Sequence, residues 1–117
     1  MKKKRLFYVS HPYGGNPENE KAVQDIIDEM SGRKLRPNSF IFMPFGDDSK
    51  FVSPIHILGS LYDAIPYIDG LDLCLSLLRR CDGIILCGDW QHSRGCMAEY
   101  GYAKASGIPV FFFPREA

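Results

Sequence analysis

The sequence predicts an α/β fold in which a mostly parallel sheet of roughly four to five strands carries helices on both faces. Three observations predict it. The run Gly83-Ile84-Ile85-Leu86-Cys87 is apolar throughout, which suits a strand buried on both faces of a parallel sheet. Apolar residues recur at helical spacing in the stretches after Pro17 and after Pro66. Short apolar runs alternate with these stretches along the chain, so that neighbouring strands are joined by helical crossovers. With 117 residues and 13.3 kDa, the chain is too short for two hydrophobic cores, and a single domain spanning 1–117 is expected.

Leu6-Phe7-Tyr8-Val9 reads as the first strand, followed by Ser10-His11-Pro12-Tyr13-Gly14-Gly15-Asn16-Pro17, a loop dense in turn formers. Ala22, Val23, Ile26, Ile27 and Met30 then mark one face of a helix, with Asn16 as N-cap, Pro17 at the first helical position and Gly32 as the stop. From Arg33 to Lys50 no helical period is present; Phe40 to Phe45 suits a short strand and Gly46-Asp47-Asp48-Ser49 a turn. Phe51 to Ile57 reads as a further strand whose pairing Pro54 interrupts. Pro66 opens a second helix through Ile68, Leu71, Leu75, Leu78 and Cys81, and the charges of Arg79 and Arg80 suit its C-terminus. Asp82-Gly83 breaks that helix. After the apolar strand, the loop Gly88 to His92 leads into Ser93-Arg94-Gly95, a third helix to about Ser106, Gly107, and a last strand from Pro109 to Phe113. This order makes a Rossmann-like three-layer sandwich, in which ligands bind beyond the carboxyl ends of the strands. The loops Ser10 to Asn16 and Gly88 to Gly95 meet that description.

Composition narrows the function. Fourteen Lys plus Arg balance fourteen Asp plus Glu, and the sequence pI is about 6.8, so the strong positive field of duplex-binding proteins is missing and a nucleic-acid polymer is not the expected partner. Lys2, Lys3, Lys4 and Arg5 read as a solvated leader, and the apolar run behind them is too short for a signal-peptide core or a membrane span. A cytoplasmic protein without membrane contact is expected. Cys74, Cys81, Cys87 and Cys96 contain no C-x-x-C pair and read as reduced, buried thiols. His11, His56 and His92 are not spaced as a helix-borne ligand pair, so neither a metal nor another cofactor is implied.

On a helical wheel with Cys96 at zero, Tyr100, Ala103 and Gly107 fall within about 40°, and Glu99 lies about 60° off that packing face. A carboxylate there, near the helix N-terminus, is either a partly shielded nucleophile at the strand-end crevice or a solvated complement to the helix dipole. In the first loop, Gly14, Gly15 and Asn16 make either a plain tight turn or a cradle of N–H groups for an anion. Tyr8, Tyr13 and Trp90 offer π-faces to a nucleobase, with a lid over the sheet edge or an oligomer contact as the other reading of Trp90. Ser53 and His56 lack an orienting acid for nucleophilic chemistry; His56 is kept as a pocket-lining candidate.

Cys81-Asp82-Gly83-Ile84-Ile85-Leu86, then Gly88-Asp89-Trp90, then Ser93-x-Gly95-x-x-x-Glu99-x-Gly101-Tyr102-Ala103 resembles the signature half of the nucleoside 2-deoxyribosyltransferase-like superfamily. Tyr8-Val9-Ser10, Pro12 and Gly14-Gly15-Asn16 resemble its other half, and the wording is most similar to small, uncharacterised bacterial and phage domains of that superfamily. The resemblance implies cleavage or transfer at the N-glycosidic bond of a (deoxy)nucleoside or nucleoside 5′-monophosphate. Glu99 would attack the anomeric carbon and Asp89 would protonate the departing base. Tyr8, Ser10, His11, Gly14, Gly15, Asn16, His56, Trp90, Ser93, Arg94 and Gly95 would bind substrate; Asp82 is expected to anchor the strand that follows it. The chain departs from the pattern where the transferases carry Asp-Ser-Gly, since Ser93-Arg94-Gly95 stands there and leaves Arg94 available to a phosphate. A further acid of the pattern falls on Cys74, with Asp72 two residues earlier. An unfilled carboxylate is also what a non-catalytic nucleotide-binding module would show, and that is the alternative. A homo-oligomer is expected, because Phe45, Phe51, Tyr62 and Tyr67 lie in weakly patterned segments and need cover.

Overall fold

Four strands form one all-parallel sheet in the order β2-β1-β3-β4. They are β1 (Arg5–Ser10), β2 (Ser49–Val52), β3 (Gly83–Leu86) and β4 (Val110–Phe112). The computed structural model describes residues 5–31, 49–59 and 64–113. Side-chain alternation along the two central strands decides where the helices lie. Phe7 and Val9 of β1, with Ile85 and Cys87, pack on one face against Val23, Ile26 and Met30 of α1 (Pro17–Met30) and Ile55 of α2 (Pro54–Leu58). Tyr8, Ile84 and Leu86 pack on the other face against Leu78 of α3 (Tyr67–Leu78) and Cys96 and Ala103 of α4 (Arg94–Ser106). The apolar run of β3 is therefore buried on both sides, as its composition predicts, and the expected three-layer Rossmann-like sandwich is present.

Local chemistry sets the element ends. The Asn16 side chain accepts from the Glu18 N–H at 2.9 Å, with Pro17 in the first turn of α1. Ser93 caps α4 by accepting from the Cys96 N–H at 3.2 Å, and Gly107 ends that helix in the left-handed region at φ 74°. Asp82 anchors the entry to β3: its carboxylate accepts from the Leu6 N–H at 2.8 Å while its own N–H donates to the Leu6 carbonyl at 2.7 Å.

Two expectations are corrected. Phe51 to Ile57 is not one strand; β2 stops at Val52, Ser53 caps a new helix by accepting from the His56 N–H, and Pro54 opens it. Proline lacks the N–H that a strand ladder needs but fits the first helical turn, so the residue read as an interruption is a start signal. Nor does the α3 stripe lie wholly in the core, for Ile68 is 67% exposed while Leu78 is fully buried. Phe51 packs against the core of its own chain, and Tyr67 is 50% exposed. The expected strand Phe40 to Phe45, the residues Gly46 to Asp48, the stop at Gly32, and Tyr62 lie outside the described residues.

The order β2-β1-β3 matters for function. From β1 the chain goes to β2 on one side and then to β3 on the other, so the carboxyl ends of β1 and β3 flank a topological switch point. No helix among the described residues is long and apolar enough to cross a membrane.

Candidate functional site

At that switch point lies a cleft of about 390 Å³ with Glu99 at its buried end. Helix α4 follows β3 after the short turn Trp90–His92, and its packing of Cys96 and Ala103 on the sheet turns Glu99 inward to 6% exposure. Two side chains from the same face of β1 receive the carboxylate. The Tyr8 hydroxyl donates to Oε2, and the Ser10 hydroxyl donates to Oε1 at 2.7 Å. Each oxygen keeps a further lone-pair direction, because a carboxylate has about four acceptor sites and these bonds use two.

Burial dominates the electrostatics. It pushes the Glu99 carboxyl above its ordinary value of 4.5, and the two hydroxyl donors pull partly back. Tyr8 is held well above its ordinary value of 10.0 by burial and then by the neighbouring carboxylate, so it stays a protonated donor. Cys74 and Cys96, both lining the cleft, have thiols raised chiefly by burial, which makes them poor thiolates. Linkage gives the sign of a stability test. The folded chain holds the Glu99 proton more tightly than the unfolded chain, so this stabilising contribution is complete below pH 4.5 and is lost as pH rises through the raised folded value. Glu99→Gln should therefore melt higher than wild type near pH 7, with the gap closing towards pH 4. Thermal melts of both proteins across that range check it; a less stable Gln variant with a pH-independent gap would contradict it.

The walls come from several elements. His11, Tyr13 and Gly14 enter from the loop after β1, Pro54 and Ile55 from α2, and Ser93, Gly95 and Cys96 from the start of α4. Tyr67, Gly70, Leu71, Leu73 and Cys74 form the α3 wall; of these, Leu71 and Cys74 were expected to be packed inside and Tyr67 to need cover from a second subunit. One signal pointed there, since an acidic position of the pattern that the sequence resembles falls on Cys74. Arg94 is exposed and places its guanidinium 4.8 Å from the centre of the Tyr67 ring, beside the cleft.

Several expected site residues lie elsewhere. Asp89 does not line the cleft; the short turn Trp90–His92 carries it into solvent, where its carboxylate meets His92 Nδ1 at 2.8 Å. Trp90 packs on Tyr100 and Phe112, with ring centres at 5.2 and 5.7 Å, and covers the β4 edge of the sheet. Tyr8 is fully buried, so its ring has no free face for a base and its contribution is the hydroxyl. Gly15 and Asn16 lie outside the cleft, where the Asn16 side chain is used as a helix cap. His56 is exposed while its neighbours Pro54 and Ile55 line the cleft. No group of three or more His, Cys, Asp or Glu side chains able to hold a metal ion occurs among the described residues.

The family described as "Domain of unknown function (DUF4406)" matches residues 49–112, more than half of the chain. The chain belongs to this family. The match runs from β2 through β4, so it includes Glu99 and the α3 wall of the DUF4406 protein but not the β1 residues that hold the carboxylate. A 2-desoxiribosyltransferase from Leishmania mexicana has a similar structure, with a TM-score of 0.59 at 20% sequence identity, over 93% of this chain and 63% of that one. This likeness shows a related fold, of which the DUF4406 chain spans less than two thirds. A search of curated proteins finds no sequence match.

Proposed function

We propose that the chain cleaves or transfers the N-glycosidic bond of a (deoxy)nucleoside or nucleoside 5′-monophosphate, with Glu99 as nucleophile. The observation that carries this reading is a buried carboxylate at the end of a cleft, held by two hydroxyls, with no lysine or arginine among the described lining residues to neutralise it. Such a carboxylate is costly as a structural element and useful next to developing positive charge. The sugar would enter with its anomeric carbon towards Glu99. One carboxylate oxygen attacks as the bond to the base breaks, an oxocarbenium-like transition state is stabilised by the remaining negative charge, and water or a second base then releases the glycosyl-enzyme. Tyr8 and Ser10 fix the orientation of the carboxylate throughout. The related fold of a deoxyribosyltransferase and the residue pattern around Glu99 support the same chemistry.

A non-catalytic nucleotide-binding module is the second reading, favoured by one observation: Asp89 stands outside the cleft and Cys74 occupies the other acidic position, so no second carboxylate is among the described lining residues. Free-base release from a panel of deoxynucleosides and their 5′-monophosphates separates the two. Release supports the enzyme; thermal shifts without release support the binder.

The proposal includes a homo-oligomer in a reducing cytoplasmic setting. Tyr67, Ile68 and Leu73 expose apolar surface along α3 beside the cleft, and a second subunit would cover it. Light scattering at micromolar concentration should report at least twice 13.3 kDa; a monomer at all concentrations tested would contradict this.

A further inference from the structure

We propose that His11 is the proton-transfer residue of the cleft: it protonates the departing base, then accepts the proton of the water that frees the sugar from Glu99. The proposal rests on the glycosyl-transfer reading above. His11 begins the loop after β1, one residue beyond Ser10, whose hydroxyl holds Glu99, and both His11 and Glu99 line the cleft. Its Nδ1 lies 2.7 Å from the Pro12 carbonyl, an acceptor only, so Nδ1 carries a proton and the exchangeable position is Nε2. The face of the ring at its Nε2 end lies against the second loop of the switch point, which leaves the in-plane direction of Nε2 clear of Gly88. A Cβ built on Gly88 would lie 2.7 Å from Nε2, and Gly88 has φ +61°, so glycine is required there both for the backbone and for the imidazole. Two loops thus hold one ring at the strand ends, in a defined tautomer.

The surroundings leave few other candidates for this role. The titratable cleft-lining groups are Tyr13 from the same loop, Tyr67 and Cys74 from α3, and Cys96 and Glu99 from α4; α2 contributes none, and Asp89 beyond Gly88 is engaged with His92 in solvent. Burial raises both thiols, and Glu99 is assigned to the nucleophile. Burial lowers His11 below 6.5, opposed by its bond to the Pro12 carbonyl, which leaves an imidazolium that releases its proton readily and a neutral ring suited to the second step.

The steps balance. In the first, the bond from C1′ to the base nitrogen breaks, the Glu99 oxygen bonds to C1′, and the Nε2 proton passes to the base. In the second, the oxygen of water bonds to C1′, the ester to Glu99 breaks, and the proton of water returns to Nε2. The reactive form is ionised Glu99 with protonated His11. Since burial raises one value and lowers the other, kcat/KM for base release should be a narrow bell, falling on the acid side as Glu99 gains a proton and on the alkaline side as His11 loses one.

The test compares wild type with His11→Asn, whose amide can still donate to the Pro12 carbonyl, and with His11→Ala, each checked for folding by circular dichroism. On a nucleoside both variants should lose about 10² to 10³-fold in kcat/KM and lose the alkaline-side fall of the profile. On a 4-nitrophenyl 2-deoxyriboside, whose leaving group needs no proton, kcat/KM should return to within a few-fold of wild type, with a burst of nitrophenolate because the second step still lacks its base. Equal loss on both substrates, or a wild-type profile in either variant, overturns the role of His11 while leaving the nucleophile in place. If wild type releases neither base nor nitrophenolate, the glycosyl-transfer reading fails and this assignment with it.

Discussion

Glu99→Ala should reduce base release by at least about 10³-fold while the protein remains folded, because the substitution deletes the group that forms the covalent bond. The fold should tolerate it. Helix α4 is anchored by Cys96 and Ala103, capped by Ser93 and ended by Gly107, none of which depends on the carboxylate. The substitution also removes a charge that burial disfavours. Two hydroxyls lose their acceptor, but a small vacated space beside a cleft admits water to satisfy them. Steady-state base release and a thermal melt on the same preparation check both halves. Activity within a few-fold of wild type would move the chemistry to another group; loss of folding would make Glu99 a structural residue.

Phe7→Ala should cost about 3–5 kcal/mol, a large part of the roughly 6–18 kcal/mol expected for a domain of this size. Phe7 is 1% exposed at the centre of β1. Its ring stacks on Phe51 of β2 at 6.1 Å and meets Phe111 of β4 edge-on at 5.8 Å, so one side chain ties together aromatic rings from both edge strands. It also fills the space above Gly83, where an added Cβ would come within 3.0 Å of both Phe7 and Phe111. Glycine has no side chain with which to refill that space, so the cavity would persist. Urea unfolding should show a lower midpoint with little change in slope. A cost below about 1 kcal/mol would mean that the core closes over the gap, contrary to this packing.

How far the site was legible in the sequence depends on which interactions are local. The β3 strand and the cap at Asn16 are written in adjacent residues, and the helical wheel placed Glu99 near the packing face. Its depth was not legible, because it comes from Tyr8 and Ser10, about ninety positions away. Asp89 follows the strand end in sequence, yet the short turn Trp90–His92 rotates it outward, an effect of loop geometry that spacing does not encode. Pro54 illustrates an ambiguity of one residue type, since proline ends a strand and begins a helix equally well. The α3 wall was missed because an apolar stripe reads the same whether it meets a sheet or lines a cleft, and only the tertiary packing separates Leu75 and Leu78, in the core, from Leu71, on the cleft.

The central claim is that Glu99 becomes covalently glycosylated. A 2-deoxy-2-fluoroarabinosyl nucleoside tests it most directly, because the fluorine disfavours the positive charge that develops as the glycosyl-enzyme is hydrolysed and so allows the adduct to accumulate. Intact-protein mass spectrometry should show one added fluorosugar, and peptide mapping should place it on Glu99, with none formed in Glu99→Gln. An adduct on a different residue, or base release from wild type with no adduct and undiminished in Glu99→Gln, would contradict the account.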